Sequence, residues 1–182
     1  MRVVEEMNRL GILVDGTHCG YRTSMEAIEV TQQPFIFSHS NAHALVPHFR
    51  NIRDDQIKAC AATGGIIGVN GVGAFLDDPE AKTETVFRHV DHVANLVGPE
   101  HVALGVDYVR DVGGFWAWIA SNPEMWPDEG ISTRPSRFMQ PEQIVELTGL
   151  MLASGYHEPD IRGILGENFL RVAEIVWDAA IV

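Results

Sequence analysis

Two histidines, His18 and His39, each close a short apolar run. Ile12-Leu13-Val14 leads into Asp15-Gly16-Thr17-His18, and Phe35-Ile36-Phe37 leads into Ser38-His39-Ser40. A neutral imidazole is a good zinc ligand, and two of them on neighbouring strands can approach one ion while leaving positions open for water or substrate. Asp107 follows a third run, Val102-Ala103-Leu104-Gly105-Val106. A carboxylate placed there can bind metal, accept a proton from metal-bound water, or hold a substrate ammonium group; the alternative is a turn former. Arg50, in Pro47-His48-Phe49-Arg50-Asn51, lies just beyond the His39 run. Its planar guanidinium can grip a carboxylate through two parallel hydrogen bonds, or it can be a solvated surface arginine. His43, His48, His89, His92, His101 and His157 read as structural or surface residues. His89 and His92 have helical spacing but no visible carboxylate or cysteine partner.

These residues need a frame, and the chain supplies one in which strand-like and helix-like segments alternate, the pattern of parallel βα units. Four units are expected. Strands fall at 12–14, 35–37, 66–69 and 102–106. Helices fall at 3–10, at 24–30 with Thr23 or Ser24 as N-cap, at 54–62 with Asp54 as cap, and at 84–97. A long loop from Arg110 to Arg137 carries Trp116, Trp118 and Trp126; with Phe115 and Phe138 these could form an aromatic lid or simply pack the loop. Helices at 141–153, 159–165 and 168–177 finish the chain. The strand cores are continuously apolar, as expected of parallel strands covered on both faces. The C-terminal strand ends then form one rim, where barrels of this kind carry their chemistry. His18, His39, Asn70 and Asp107 fall on it.

Composition narrows the partners. With 182 residues, 46% of them apolar, the chain can build one sizeable core. A net charge of −12 with 13 scattered Lys and Arg disfavours nucleic acid and anionic membranes. A small-molecule substrate is the expectation. Cys19 and Cys60 are not in a C-x-x-C pair and read as two buried free thiols. The first residues resemble an amphipathic helix more than a signal peptide, and no apolar run has membrane-spanning length, so a cytoplasmic location is expected. No P-loop, G-x-G-x-x-G or G-x-S-x-G motif occurs.

The blocks Val14–His18, Pro34–Ala42, Arg50–Asp55, Gly64–Asn70, Val102–Tyr108 and Gly166–Val172 run in an order that resembles the membrane dipeptidase (renal dipeptidase-like, M19) metallopeptidases. The resemblance implies the C-terminal half of a (β/α)8 TIM-type barrel: about four parallel βα units plus C-terminal helices, with residues 1–182 as a single partial barrel domain. It implies His18 and His39 as ligands of one zinc of a binuclear pair, Arg50 on the C-terminal carboxylate of a dipeptide substrate, and Asp107 as the group that meets metal-bound water or substrate amine and shuttles a proton. The family's first-strand His-x-Asp pair, its metal-bridging Glu and a further substrate-binding His have no counterpart here, so at most one zinc is expected, partly ligated. Two other readings stay open: a non-catalytic half-barrel module, and another amidohydrolase-type hydrolase. Unpaired sheet edges lead to the expectation of a homo-oligomer.

Overall fold

The computed structural model describes residues 2–125 and 135–180. In chain order the elements are α1 (Arg2–Arg9), β1 (Val14–Asp15), α2 (Tyr21–Val30), β2 (Phe35–Phe37), α3 (Asp54–Ala62), β3 (Ile66–Val69), α4 (Gly73–Leu76), α5 (Thr83–Val97), β4 (Val102–Leu104), α6 (Val112–Ser121), α7 (Gln143–Ala153), α8 (Glu158–Arg162) and α9 (Asn168–Asp178). A 3-10 turn at Pro99–His101 precedes β4, and a π turn at Gly163–Glu167 joins α8 to α9.

The four strands form one sheet in the order β1-β2-β3-β4, every pair parallel. Alternation along each strand divides the core. Phe35, Phe37, Ile67, Val69 and Val102 pack with Ile57 and Cys60 of α3 and with Val86, Val90 and Val93 of α5. The opposite face, with Ile36, Ile66 and Ala103, is covered by Val172 of α9 and Leu13. Fully burying each such side chain stabilises the fold by about 1.5–3 kcal/mol. With both faces covered, the strands carry no polar residue until their C-terminal ends, which is why the chemistry collects there.

Local chemistry sets several boundaries differently from the sequence expectation. Helix α2 starts one turn earlier, with Gly20 at the N-cap. Ser24 is therefore inside it, donating to the Tyr21 carbonyl and accepting from Gln56 Nε2. In α3 the N-cap position is Arg53, whose N–H donates to Gln56 Oε1 at 3.0 Å; Asp54 is the first helical residue and pairs with His92 at 3.0 Å. The fourth strand stops at Leu104, and the supposed loop after Arg110 contains α6. Asp111 caps that helix by accepting from Gly114 N–H at 2.9 Å, and the two adjacent glycines had masked the helical pattern. Phe115 and Trp116 pack with Phe138 and Phe75, and Trp116 Nε1 donates to Ser136 O. Trp126 lies outside the described residues. Among the described residues no helix is long and apolar enough to cross a membrane.

Candidate functional site

Strand ends place the site residues, and two of them do so in an unusual backbone conformation. His18, beyond β1, has φ +66°, and Asp107, beyond β4, has φ +56°. Non-glycine residues in this left-handed region cost roughly 1–3 kcal/mol and are retained where the surroundings dictate them. Here the strain turns both side chains at the sheet's C-terminal rim.

His18 Nε2 and His39 Nε2 lie 2.9 Å apart, with ring centroids at 4.9 Å and planes crossed at 63°. The far side of His39 is tied down. Its Nδ1 is 2.8 Å from Ser38 Oγ, and Ser38 Oγ donates to Asp15 Oδ2 at 2.5 Å. The other oxygen of Asp15 accepts from Thr17 N–H at 2.9 Å and Ser38 N–H at 3.0 Å. Thr17 Oγ1 in turn accepts from the His39 backbone N–H at 3.2 Å. Asp15 thus staples the end of β1 to the end of β2, and the two imidazoles face each other as a result. Partial desolvation, then the nearby Arg50 guanidinium and the His39 ring, hold His18 below the ordinary histidine pKa, which favours the neutral imidazole a metal needs.

Arg50 reaches the same place from the loop after β2. Its Nη2 is 3.4 Å from His18 Nε2, and its guanidinium lies over the Phe75 ring at 5.3 Å. Desolvation lowers its pKa, with Asp107 and Asp15 opposing. Among the described residues no carboxylate lies within ion-pair distance of it. His18 and Arg50 share a cleft of about 250 Å³ with Cys19, Tyr21, His43 and Arg53. Cys19 is exposed there, contrary to the expectation of two buried thiols; Cys60 is buried and donates to Phe35 O. Neither His39 nor Asp107 lines this cleft. Asp107 is instead held by Asn70, whose Nδ2 donates to Asp107 Oδ2 at 3.2 Å while its Oδ1 accepts from Val72 N–H at 2.6 Å.

The structure therefore brings His18, His39 and Arg50 into contact, with Asp107 close enough to act on His18 and Arg50 through its charge. Sequence reasoning missed Asp15, Ser38 and Phe75. The adjacency of Ser38 to His39 and the Asp15-x-x-His18 spacing were the available signals, but neither says which way a hydroxyl or carboxylate turns.

The donor set suits a metal in part. Two nitrogens bound to one tetrahedral ion at 2.0–2.1 Å stand about 3.4 Å apart; the observed pair is close to that, and its rings are oriented from behind. Among the described residues no group of three or more His, Cys, Asp or Glu converges, so the pair alone does not make up a full coordination sphere.

Comparison with known proteins gives a consistent set of relatives. Residues 1–181 match the sequence profile of the membrane dipeptidases (peptidase family M19). The chain is 42% identical over 170 residues to an uncharacterized dipeptidase, C965.12, of Schizosaccharomyces pombe, covering 92% of this chain and 36% of that protein. Among solved structures it resembles an amidohydrolase from Pseudomonas aeruginosa, with 30% identity, a TM-score of 0.80, and coverage of 97% of this chain and 56% of that one. It also resembles a metallopeptidase from Rhodobacter sphaeroides liganded with a phosphinate mimic of the dipeptide L-Ala-D-Ala, with 27% identity, a TM-score of 0.70, and coverage of 97% and 46%. The chain spans between about a third and three fifths of the length of the curated relatives it matches.

Proposed function

Because the chain belongs to the membrane dipeptidases of peptidase family M19, we propose that it contributes the paired-histidine share of a zinc centre that hydrolyses dipeptides. The observation that carries this reading is the meeting of His18 Nε2, His39 Nε2 and the Arg50 guanidinium at one point of the rim. His18 and His39 would hold the ion, and the remaining ligands, a bridging carboxylate among them, would add to the pair that the described residues supply. When bound, zinc supplies an activated water at neutral pH and polarises the peptide carbonyl.

The chain's own residues would do the rest. Arg50, half-buried and without a carboxylate partner among the described residues, would take the substrate's C-terminal carboxylate in a bidentate grip. That orients the peptide bond toward the histidines and fixes the size of substrate that fits. Asp107, braced by Asn70, would hold the substrate amine or accept and return the proton that the leaving nitrogen needs. A second reading, hydrolysis of another amide-type substrate, draws on the likeness to the Pseudomonas amidohydrolase. Arg50 beside His18 favours a substrate ending in a carboxylate.

Calorimetry of the 182-residue chain tests the proposal. Zinc should bind weakly, and a phosphinate dipeptide mimic should bind only when zinc is present. His39→Ala should abolish both. Zinc binding that ignores His39, or mimic binding without zinc, would overturn the reading.

A further inference from the structure

The position of the proton on His39 follows from counting donors behind it. Asp15 Oδ1 accepts two backbone N–H groups, from Thr17 and Ser38, and Asp15 Oδ2 lies 2.5 Å from Ser38 Oγ. A carboxylate can only accept, so the single Ser38 hydroxyl proton is committed to Asp15. Ser38 Oγ then faces His39 Nδ1, at 2.8 Å, with lone pairs alone. The contact is a hydrogen bond only if His39 carries its proton on Nδ1. Its Nε2 is thereby left as a bare lone pair, aimed at His18 Nε2 2.9 Å away.

We propose that Asp15, acting through Ser38, is a positioning residue that fixes the His39 tautomer and so makes its Nε2 a metal donor. Without metal, the 2.9 Å contact between the two rings then needs the proton on His18 Nε2, so that this nitrogen donates to His39 Nε2 and the longer 3.4 Å approach of Arg50 Nη2 to it is a contact and not a hydrogen bond. The same carboxylate also spans the β1 and β2 ends, so one side chain sets both the spacing of the two rings and the electronic state of the second. Partners behind a ligating histidine commonly affect metal affinity about 10–100-fold. The inference rests on the proposed role of His39 for its consequence, but not for the tautomer itself.

Replacing Asp15 with Asn provides a near-isosteric reversal. The Asn oxygen would keep the two backbone N–H groups, which places the amide NH2 where Oδ2 stood. That NH2 donates to Ser38 Oγ, the hydroxyl turns its proton to His39 Nδ1, and the histidine proton is forced onto Nε2. The test is long-range proton–nitrogen correlation NMR on the metal-free, 15N-histidine-labelled chain at mildly alkaline pH, with zinc titrations alongside. His89 serves as an internal standard, since its Nδ1 accepts from Ala42 N–H and its proton is therefore on Nε2. Wild-type His39 should show a protonated Nδ1 and a bare Nε2. Asp15→Asn should exchange the two signatures and weaken zinc about 10–100-fold. Ser38→Ala, which removes the link with little risk to the fold, should leave a mixture of tautomers and an intermediate loss. A wild-type proton on Nε2, an unchanged tautomer in Asp15→Asn, or an exchanged tautomer with undiminished zinc affinity would each overturn the inference. Because the tautomer is read without metal or substrate, a failure to bind dipeptides would count against the proposed function and leave this assignment standing.

Discussion

The carbonyl oxygen of Ser38 occupies the space in which a side chain on Gly105 would begin: a Cβ there would stand 1.9 Å from it, and one on Gly68 would stand 2.1 Å from it. The peptide that carries His39 is thus seated on two side-chain-free positions of β3 and the segment after β4. Both obstacles are backbone, so neither can swing aside. Gly105→Ala should push the Ser38 peptide away, cost at least the roughly 1–3 kcal/mol typical of overpacking, and separate the two imidazoles. Gly149, exposed in α7 with nothing within 4 Å of its Cβ position, is the contrasting site; Gly149→Ala should stabilise by about 0.5–1 kcal/mol. Urea unfolding of both variants distinguishes these outcomes, and a Gly105→Ala chain with unchanged stability and zinc affinity would contradict the account.

Asn168 ties the C-terminal helix to the strand that leads to Asp107. Its Nδ2 donates to Pro99 O at 2.9 Å and to Val102 O at 2.8 Å. Asn168→Asp replaces a double donor by an acceptor among carbonyls and should destabilise more than Asn168→Ala, which strands the two carbonyls at about 1–3 kcal/mol each where they are buried. Thermal unfolding of the pair checks the order; an Asp variant at least as stable as the Ala variant would sink it.

This residue also shows what the sequence could and could not convey. Gly166-Glu167-Asn168 helped to mark the family resemblance, yet Asn168 braces the fold and touches none of His18, His39, Arg50 or Asp107. Strand cores at 35–37 and 66–69 were legible to the residue, because continuous apolar runs between turn residues leave little choice of period. The rim position of His39 followed from the first of those strands, whereas β1, which leads to His18, spans Val14–Asp15 instead of the expected 12–14. The helix at Val112–Ser121 was hidden by Gly113 and Gly114, whose weak propensity is outweighed by the packing of Phe115 and Trp116 on Phe138. The Asp15–Ser38–His39 chain was beyond sequence reading, since its direction depends on backbone strain at His18 and on which oxygen of Asp15 meets which donor.

Acid should destabilise this chain through a histidine away from the rim. His89, in α5, is buried, and desolvation, aided by Arg88 and His92, lowers its pKa to about 4. Its unfolded value is near 6.5, so between those values the unfolded chain binds the extra proton. Stability therefore rises with pH through that window. It is fully present above about 6.5 and lost progressively down to about 4, a total on the order of 3 kcal/mol. His89→Gln, which keeps an acceptor for Ala42 N–H, should flatten this dependence. Urea midpoints that fall equally from neutral to mildly acidic pH in wild type and variant would contradict it.

Arg50 should show the opposite balance, a residue kept for binding at the expense of stability. Its guanidinium is partly desolvated beside His18, and among the described residues it has no ion-pair partner to offset that cost. What holds it is its stacking on Phe75 and the more distant charges of Asp107 and Asp15. Arg50→Met keeps most of the apolar contact and removes the charge, so its urea midpoint should equal or exceed that of the wild type, while zinc-dependent binding of a phosphinate dipeptide mimic disappears. Arg50→Lys keeps the charge but loses the fork that meets both carboxylate oxygens. Losing one charge-assisted hydrogen bond, worth roughly 1.5–3 kcal/mol, lowers affinity for the mimic about 10–100-fold. If Arg50→Met instead lowers stability markedly, or if Lys serves as well as Arg in binding, the guanidinium is structural and the carboxylate grip must lie elsewhere on the rim.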